Sequence, residues 1–293
     1  MSRILVITLA VASLSSAARG AVVTTGLENN WVAGQNADAG PTGSWTSTTS
    51  DAKVWTLDGP QLTTSDPSGY PGIDAAYVFE GPTVGDAATT SHFHGGGGAN
   101  LTFSMEMWVR PAAAATPETD PDTDPTTGVA RQVLMESGGD KGVALVWNGD
   151  HFQFVASEST PDPVVTLNSP TYTSNDLGEF MQVVVTFDNA NGQYAMYVNG
   201  DATPVDTDSK SGGVNWQGGN GSGMGVHNSK FGGYGSNDYT GNYFDGEIAV
   251  MRFYRDTVLD GEQVAQNYSA IVPEPATLLT LGLAGLALAR RRR

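Results

Sequence analysis

Short runs in which apolar and polar side chains alternate occupy the middle of the chain. In the segment 101–110, Phe103, Met105, Met107 and Val109 take every second position. Successive side chains of a β-strand point to opposite faces, so this period of two predicts a strand with one apolar face. The residues predicted to be buried in this way are Phe103, Met105, Val183, Val185 and Met196.

Turn signals separate these runs. The segments 142–147 and 152–156 flank Asn148-Gly149-Asp150, and the segments 181–187 and 193–198 flank a turn that contains Asn191-Gly192. Asn-Gly supplies the positive φ angles that tight hairpin turns need. Both pairs of segments are therefore predicted to form antiparallel hairpins.

A helical pattern occurs only near the end of the body, over 259–270, with Asp260 as its N-cap. Many short strands with few helices favour two packed antiparallel sheets over alternating β–α units. We predict an all-β, antiparallel two-sheet jelly-roll sandwich over residues 21–270, with one further short strand around 224–226.

The first twenty residues have the layout of a secretory signal. Arg3 precedes a mostly apolar run, 4–14, and small residues follow at 15–18. A basic start, a short apolar core and small residues for cleavage are typical of a signal peptide. We predict a signal peptide over residues 1–20, cleaved near Ala18 or Gly20, and hence an exported protein.

The last residues have a second, different layout. Val272 is followed by Pro273-Glu274-Pro275, then by the largely apolar segment 276–289 and by arginine at 290–293. The 14 apolar-segment residues would form roughly 21 Å of helix at 1.5 Å per residue, which is short for a hydrocarbon core of about 30 Å. The terminal arginines favour a cytoplasmic C-terminus.

These three parts, in this order, resemble the PEP-CTERM sorting signal of Gram-negative bacteria. The resemblance covers residues 271–293, with Pro273, Glu274 and Pro275 as the sorting motif. It implies a transient inner-membrane anchor, processed by an exosortase-type membrane protease, in a cell that makes extracellular polysaccharide. The alternative is a permanent short anchor, which would need neither the motif nor so short a span.

The net charge of the chain limits the classes of partner that it can bind. The chain has 14 Lys+Arg and 31 Asp+Glu, and no cysteine. Six basic residues and Glu274 lie in the two terminal segments, which leaves 8 basic and 30 acidic residues, a net charge of −22, between them. Such a field repels nucleic acid and anionic lipid. The lack of cysteine excludes disulfides, thiol catalysis and Cys-ligated zinc.

Four blocks of the body resemble the laminin-G-like jelly rolls of the concanavalin A-like lectin/glucanase superfamily. They are 76–81 (AYVFEG), 101–111 (ending in WVRP), the central hairpin of 179–188 and 194–200 (ending in YVNG), and 243–254 (YFDGEIAVMRFY). The resemblance implies the sandwich predicted above, with residues 21–75 supplying outer strands. Two positions depart from the family pattern: Phe180 stands in place of Trp, and Ala249 in place of an Asp that helps to hold calcium in relatives.

Catalytic chemistry is not indicated. Glucanases of this superfamily carry Glu-x-Asp-x-Glu on one strand, which places two carboxylates on one face about 5 Å apart for retaining hydrolysis. No such motif occurs in the sequence. We expect no enzymatic activity; the alternative is a polysaccharide-active hydrolase or lyase whose site is not recognisable from the sequence.

A calcium ion is the one cofactor that the sequence suggests. Glu80, Asp245 and Glu247 lie in two blocks that are neighbours in relatives, and carboxylates are ligands that calcium prefers. We predict a calcium site from these three residues, against the alternative of surface charge at strand ends. The residue Ala249 weakens this prediction.

Aromatic and amide residues concentrate between 209 and 243. Trp216, Tyr234, Tyr239 and Tyr243 are interspersed with Asn228, Asn237 and Asn242. Flat rings stack on the apolar face of a sugar, and amides can bond its hydroxyls. These four rings are the predicted glycan-binding residues; the alternative is that they pack at the rim of the sandwich.

Together these observations predict an exported, non-enzymatic protein of the cell envelope, cell surface or extracellular matrix. We expect an adhesion or exopolysaccharide-associated role with carbohydrate binding. The alternatives are the enzyme described above and a structural surface protein without a ligand.

Overall fold

Two antiparallel sheets packed face to face hold almost all the regular structure of the described residues. The computed structural model describes residues 20–35, 43–51, 53–63, 70, 72–80, 87–90, 101–112, 132–138, 142–158, 164–173, 176–215, 222–224 and 243–272. Residues 1–19 of the predicted signal peptide and the sorting segment beyond Val272 lie outside these ranges.

The strands in chain order are β1 (Leu27–Val32), β2 (Ser44–Thr46), β3 (Val54–Asp58), β4 (Gln61–Thr63), β5 (Ala76–Glu80), β6 (Ala87–Thr90), β7 (Phe103–Pro111), β8 (Gln132–Gly138), β9 (Gly142–Trp147), β10 (Phe152–Ala156), β11 (Val165–Asn168), β12 (Met181–Asp188), β13 (Gln193–Val198), β14 (Asp206–Ser209), β15 (Ser222–Met224) and β16 (Asp245–Arg255). Sheet A has the order β14-β13-β12-β7-β16-β5-β4, and β1 also pairs with β16. Sheet B has the order β11-β10-β9-β8-β15-β6-β3-β2.

This architecture is the predicted jelly-roll sandwich. The hairpins β9–β10 and β12–β13 lie where the turn signals placed them. The segment 21–75 supplies the edge strands β2 and β4, as the resemblance implied. The strand expected around 224–226 is present as β15, which lies slightly earlier and joins β6 to β8.

The core lies between the inner faces of the two sheets. All five predicted core residues are buried there. Phe103 stacks on Phe187 at 5.0 Å and on Phe253 at 5.4 Å between ring centroids. Period-two alternation thus identified the inner face of β7, β12 and β13 correctly.

The helix α1 (Gly261–Ile271) lies on the outer face of sheet A. Asp260 caps it, because its side chain accepts from the backbone N–H of Gln263, whose side chain in turn accepts from the backbone N–H of Asp260. The helix begins beside β7, where the backbone N–H of Leu259 donates to Ser104 Oγ at 2.9 Å. It ends over Trp108, on which Tyr268 stacks at 5.4 Å. The helix therefore follows β7 towards the Pro111 end of the sandwich.

A buried carboxylate ties α1 to sheet A. Glu106 is 0% exposed, and its Oε1 accepts from Arg252 at 2.7 Å, from Trp108 Nε1 at 2.8 Å and from Gln182 at 2.9 Å. Its Oε2 accepts from Asn267 of α1 at 2.7 Å. A buried charge is tolerated only when it is paired and hydrogen-bonded, and both conditions are met here.

The segment that follows the predicted signal peptide packs along α1. The backbone N–H of Val23 donates to Asn267 Oδ1 at 2.8 Å, and Gln266 donates to the carbonyl oxygen of Ala21 at 2.7 Å. Val23 is buried with Leu259 and Val264. The beginning and the end of the folded body are thus held together on one face.

Carboxylates also accept hydrogen bonds from the backbone of β11, an edge strand of sheet B. Asp208 and Asp206 of β14 accept from the backbone N–H groups of Thr166 and Asn168 of β11, at 3.0 and 2.8 Å. An edge strand presents unpaired N–H groups that can pair with another chain. Here the side chains of sheet A occupy two of those groups.

Candidate functional site

A cleft opens at the Pro111 end of sheet A, where β5, β7 and β16 meet the segment before β12. Its volume is about 420 Å³, at the low end of the 300–1,000 Å³ typical of small-molecule pockets. It is lined by Val78, Phe79, Glu80, Arg110, Pro111, Ala112, Leu177, Gly178, Asp245, Gly246 and Glu247.

The register of the strands brings the three predicted carboxylates to this cleft. Asp245 lies directly opposite Glu80, and Glu247 lies opposite both Val78 and Arg110. The cleft therefore has polar side chains beside apolar walls. This combination can take hydroxyl or ammonium donors on one side and a C–H surface on the other.

Arg110 organises the centre of the cleft. Its guanidinium donates to Glu247 Oε2 at 2.5 Å, and both side chains are about one-fifth exposed. The same guanidinium lies 5.0 Å from the centre of the Phe180 ring, within the range of a cation–π contact. The family departure at Phe180 thus keeps an aromatic ring in contact with Arg110.

Backbone contacts fix the position of Asp245. Its N–H donates to Gln132 Oε1 of sheet B at 3.2 Å, and its carbonyl oxygen accepts from Ala112 at 2.9 Å. The next residue must be glycine, because a Cβ on Gly246 would lie 2.5 Å from the carbonyl oxygen of Arg110. Partial burial raises the pKa of Asp245, since it disfavours the charged form.

The geometry brings Glu80 and Asp245 together but commits Glu247 to Arg110. A calcium ion at this place would compete with Arg110 for Glu247. Across the residues that the structure describes, no three His, Asp or Glu side chains are grouped closely enough to hold a metal ion. Ala249 is buried in an apolar cluster with Trp108 and Ile271. The calcium site stays a prediction.

Most of the predicted glycan-binding rings fall outside the described ranges. Trp216, Tyr234 and Tyr239 lie there, whereas Tyr243 is half-buried two residues before Asp245. The described chain breaks off at Asn215, whose N–H donates to Glu158 at 2.7 Å, at the opposite end of the sandwich from the cleft. That the four rings form one surface stays a prediction.

The sorting motif Pro273, Glu274 and Pro275 also lies outside the described residues, directly after them. The backbone N–H of Val272 donates to the carbonyl oxygen of Tyr268 at 2.8 Å, so the described chain ends on the last turn of α1. In the part of the chain that the structure describes, no helix is long and apolar enough to cross a membrane. The predicted membrane segment 276–289 is outside that part.

The outer face of sheet B carries one buried carboxylate that the sequence did not single out. Glu136 is 0% exposed and lies opposite Gly223 of β15 and Ala144 of β9. Neither neighbour has a carboxyl group. Retaining hydrolysis needs two carboxyl groups about 5 to 5.5 Å apart. The cross-strand neighbours of Glu136 do not provide the second group.

Sequence reasoning missed Arg110, Leu177 and the Glu106 network. Arg110 was within a block quoted for the family resemblance, but its pairing with Glu247 depends on the register between β7 and β16. One signal could have identified Arg110: it lies near the end of a predicted strand, and the neighbouring strand is rich in acidic residues.

Comparisons with known proteins agree with the fold and with the sorting motif. The model of a family described as the concanavalin A-like lectin/glucanases superfamily matches residues 83–265, and the PEP-CTERM protein-sorting motif matches residues 272–293. No curated protein matches the chain significantly in sequence.

Solved structures with a similar fold include toxin binding domains. The binding domain of paraclostridial mosquitocidal protein 1 has a TM-score of 0.57 at 10% identity, over 83% of this chain and 51% of that one. The botulinum neurotoxin serotype G binding domain has a TM-score of 0.52 at 12% identity, over 83% and 50%. A structure concerned with the cell entry of botulinum neurotoxin type C, described as dependent on interaction with two ganglioside molecules, has a TM-score of 0.52 at 14% identity, over 83% and 50%. The chain spans about half the length of these structures, and the likeness concerns the fold alone.

Proposed function

The chain belongs to the concanavalin A-like lectin/glucanases superfamily, and we propose that it is a non-enzymatic, polysaccharide-binding component of the cell surface or extracellular matrix, delivered there by exosortase-dependent sorting. The sorting motif implies export, processing by a membrane protease and delivery to the envelope of a Gram-negative bacterium. The polysaccharide partner and the absence of catalysis are the proposed part.

One observation carries the proposal: a sandwich of this superfamily is followed, without a linker, by the sorting motif. The family match ends at residue 265 within α1, and the motif match begins at 272, where α1 ends. Sorting therefore delivers the sandwich itself, and the ligand of the sandwich would determine what the protein does at its destination.

The cleft supports a sugar as that ligand. Its carboxylates can accept from hydroxyl groups, the guanidinium of Arg110 can donate to ring or hydroxyl oxygens, and Pro111 and Leu177 give it apolar walls. A few oriented polar groups in an otherwise apolar concavity are what orient a small ligand. Of the predicted rings, Tyr243, two residues before Asp245, would extend this surface.

The non-enzymatic assignment is supported by the chemistry of the carboxylates. Glu247 is held by Arg110, Glu106 lies under α1 with four hydrogen bonds, and the cross-strand neighbours of Glu136 carry no carboxyl group. The alternative is a hydrolase or lyase whose second group lies outside the described residues. Release of reducing ends from the cell's own polysaccharide, abolished by Glu136→Gln, would establish that alternative.

Retention on the cell's own polysaccharide tests the proposal. The purified mature protein should co-sediment with that polysaccharide, and replacing Trp216 and Tyr239 together by Ala should lower the bound fraction. Each stacking contact contributes on the order of 1 kcal/mol, so single-site affinity is expected to be weak and to depend on multivalency.

The melting temperature of the double variant is the control. Unchanged retention would remove these rings from the binding surface, and a large fall in melting temperature would place them in the core. If the parental protein does not co-sediment with any polysaccharide fraction of the cell, the proposed function is wrong.

A further inference from the structure

The chain leaves the folded body at a short distance from the membrane. Val272 packs against the apolar cluster of Ile73, Trp108 and Ile271, and its backbone is bonded to α1. Only residues 273–275 separate it from the apolar segment that begins at Ala276. The connection between the body and the membrane segment is therefore three residues long.

The three-residue connection leaves little space between the folded body and the membrane. Between Val272 and Ala276 a fully extended chain spans at most roughly 14 Å. The polar headgroup layer on one side of a bilayer takes up about 5 to 8 Å of it. The remaining gap is narrower than a helix with its side chains, about 10 to 12 Å. A protease that cuts near the sorting motif must therefore contact the folded body.

The surface that such a protease would meet includes the cleft. On the outer face of sheet A, the residues Ala76 and Trp108 lie beneath the end of α1. Val78 and Arg110 follow them by two positions on the same face and line the cleft. Two strand residues advance about 7 Å. The cleft thus begins one side-chain step beyond the end of the helix, in the direction in which α1 points.

The charge of this surface selects its partner. The described residues that line the cleft include three carboxylates, on Glu80, Asp245 and Glu247, and one guanidinium, which together carry a net charge of −2. Anionic lipid headgroups repel such a surface, as does the strongly acidic body behind it. A protein surface that carries Lys or Arg fits it.

We propose that the end of α1 and the adjoining cleft form a docking surface for a basic, extracytoplasmic face of the exosortase-type membrane protease. This sorting surface, defined by Val272, Tyr268, Glu80, Arg110 and Asp245, holds the body on the protease while the tail is removed. The inference rests on the sorting part of the proposed function and is independent of polysaccharide binding.

Tail removal from the full-length precursor, in cells that contain the protease, tests this docking. The fraction processed is followed over time by the loss of mass after a pulse of synthesis. The double variant Glu80→Gln/Asp245→Asn keeps the side-chain shapes and removes two charges. We expect its processing to slow on the order of tenfold, the lower end of electrostatic effects on association. The matched control is Asp256→Asn/Glu262→Gln, which removes two exposed charges at the other end of the sandwich and should be processed at the parental rate.

A second pair of chains separates docking from steric effects. Twelve Gly/Ser residues inserted between Val272 and Pro273 give a leash with a root-mean-square length of about 20 Å. With this insertion, the chain with the parental cleft and the chain with the Glu80→Gln/Asp245→Asn cleft should lose their tails at much more similar rates than they do without it. Equal rates of the cleft variant and its control in the native-length chain would overturn the proposal. Faster processing of the cleft variant would overturn it in favour of a surface that faces lipid headgroups.

Two measurements keep the outcomes interpretable. A melting temperature of the cleft variant that is no lower than that of its control excludes misfolding as the cause of slow processing. Polysaccharide retention of the processed parental protein reports on the proposed function separately, because the cleft variant lacks two of the carboxylates proposed to bind the sugar. A precursor whose tail is never removed in cells with the protease would overturn both the sorting and this docking surface.

Discussion

Replacing Glu106 by Gln is expected to be among the most damaging single changes to the fold. The amide keeps the size of the carboxylate but removes the charge that pairs with Arg252, which is only 3% exposed. The substitution also replaces one acceptor oxygen by a donor NH₂ group. Either the side chain of Asn267 or the three donors to Oε1 would then lose their acceptor. Breaking one partner of a buried ion pair costs about 3 to 5 kcal/mol.

The expected loss is large relative to the stability of a domain. Typical unfolding free energies are about 5 to 15 kcal/mol, so this variant would lose a third or more of a mid-range value. For a domain of this size, each kcal/mol lowers the melting temperature by roughly 2 to 4 °C, which predicts a fall of about 6 to 20 °C. Urea unfolding monitored by tryptophan fluorescence and thermal scans would measure both quantities.

Two controls separate the network from a general effect of removing acid. Glu262→Gln changes an exposed acid of α1 and should alter the unfolding free energy by less than about 0.5 kcal/mol. The double variant Glu106→Gln/Arg252→Gln removes the unpaired charge and should recover part of the loss. If Glu106→Gln costs less than about 1 kcal/mol, the account of Glu106 as the tie between α1 and sheet A is wrong.

Three further predictions follow from the edge strand and the cleft. Asp206→Ala/Asp208→Ala leaves two N–H groups of β11 without their carboxylate acceptors, so it should lower the free energy of unfolding by about 1 to 3 kcal/mol per group. It should also cause concentration-dependent association on size-exclusion chromatography, while the Asn double variant, which keeps an acceptor oxygen at each position, should elute as the parent does. Because burial raises the pKa of Asp245, its ionisation opposes folding as pH rises through that pKa. Asp245→Asn should therefore melt higher than the parent at pH 7, and the difference in melting temperature should vanish below about pH 4. A difference that grows on acidification would contradict this assignment. If calcium binds beside Glu80 and Asp245, millimolar calcium should raise the parental melting temperature, and Asp245→Asn should abolish the rise. At a calcium concentration of 100 times Kd the free energy of unfolding would increase by about 2.7 kcal/mol. An unchanged melting temperature of the parent would exclude calcium binding at this site.

The parts of the fold that local patterns specify were predictable. Alternation over β7 and the Asn-Gly turns placed the strands and the inner face, because strand geometry and turn conformation are set by near neighbours in sequence. Asp260 marked the start of α1 for the same reason. The resemblance of four blocks then indicated that the strands of Glu80 and Asp245 are neighbours, and the two residues lie opposite each other.

The outer face of sheet A could not be predicted in this way. Glu106 alternates with Met105 and Met107, so its position in sequence has the pattern of a side chain that faces solvent. Its burial depends on α1, whose Asn267 is 161 residues away in sequence. The ion pair of Arg110 and Glu247, 137 residues apart, depends in the same way on a long-range register. Interactions of this kind have no local signature.

The position of α1 explains how this fold can bear a removable tail. The residues that hold the helix, Val23, Ser104, Glu106 and Tyr254, all precede it in the chain. Among the described residues, the last contact of this kind is made by Val272, immediately before the sorting motif. None of these contacts involves a residue beyond 272, so all of them would remain after a cut at the sorting motif. If the body docks on the protease as proposed, the contacts that keep it folded after processing also position it on the protease beforehand.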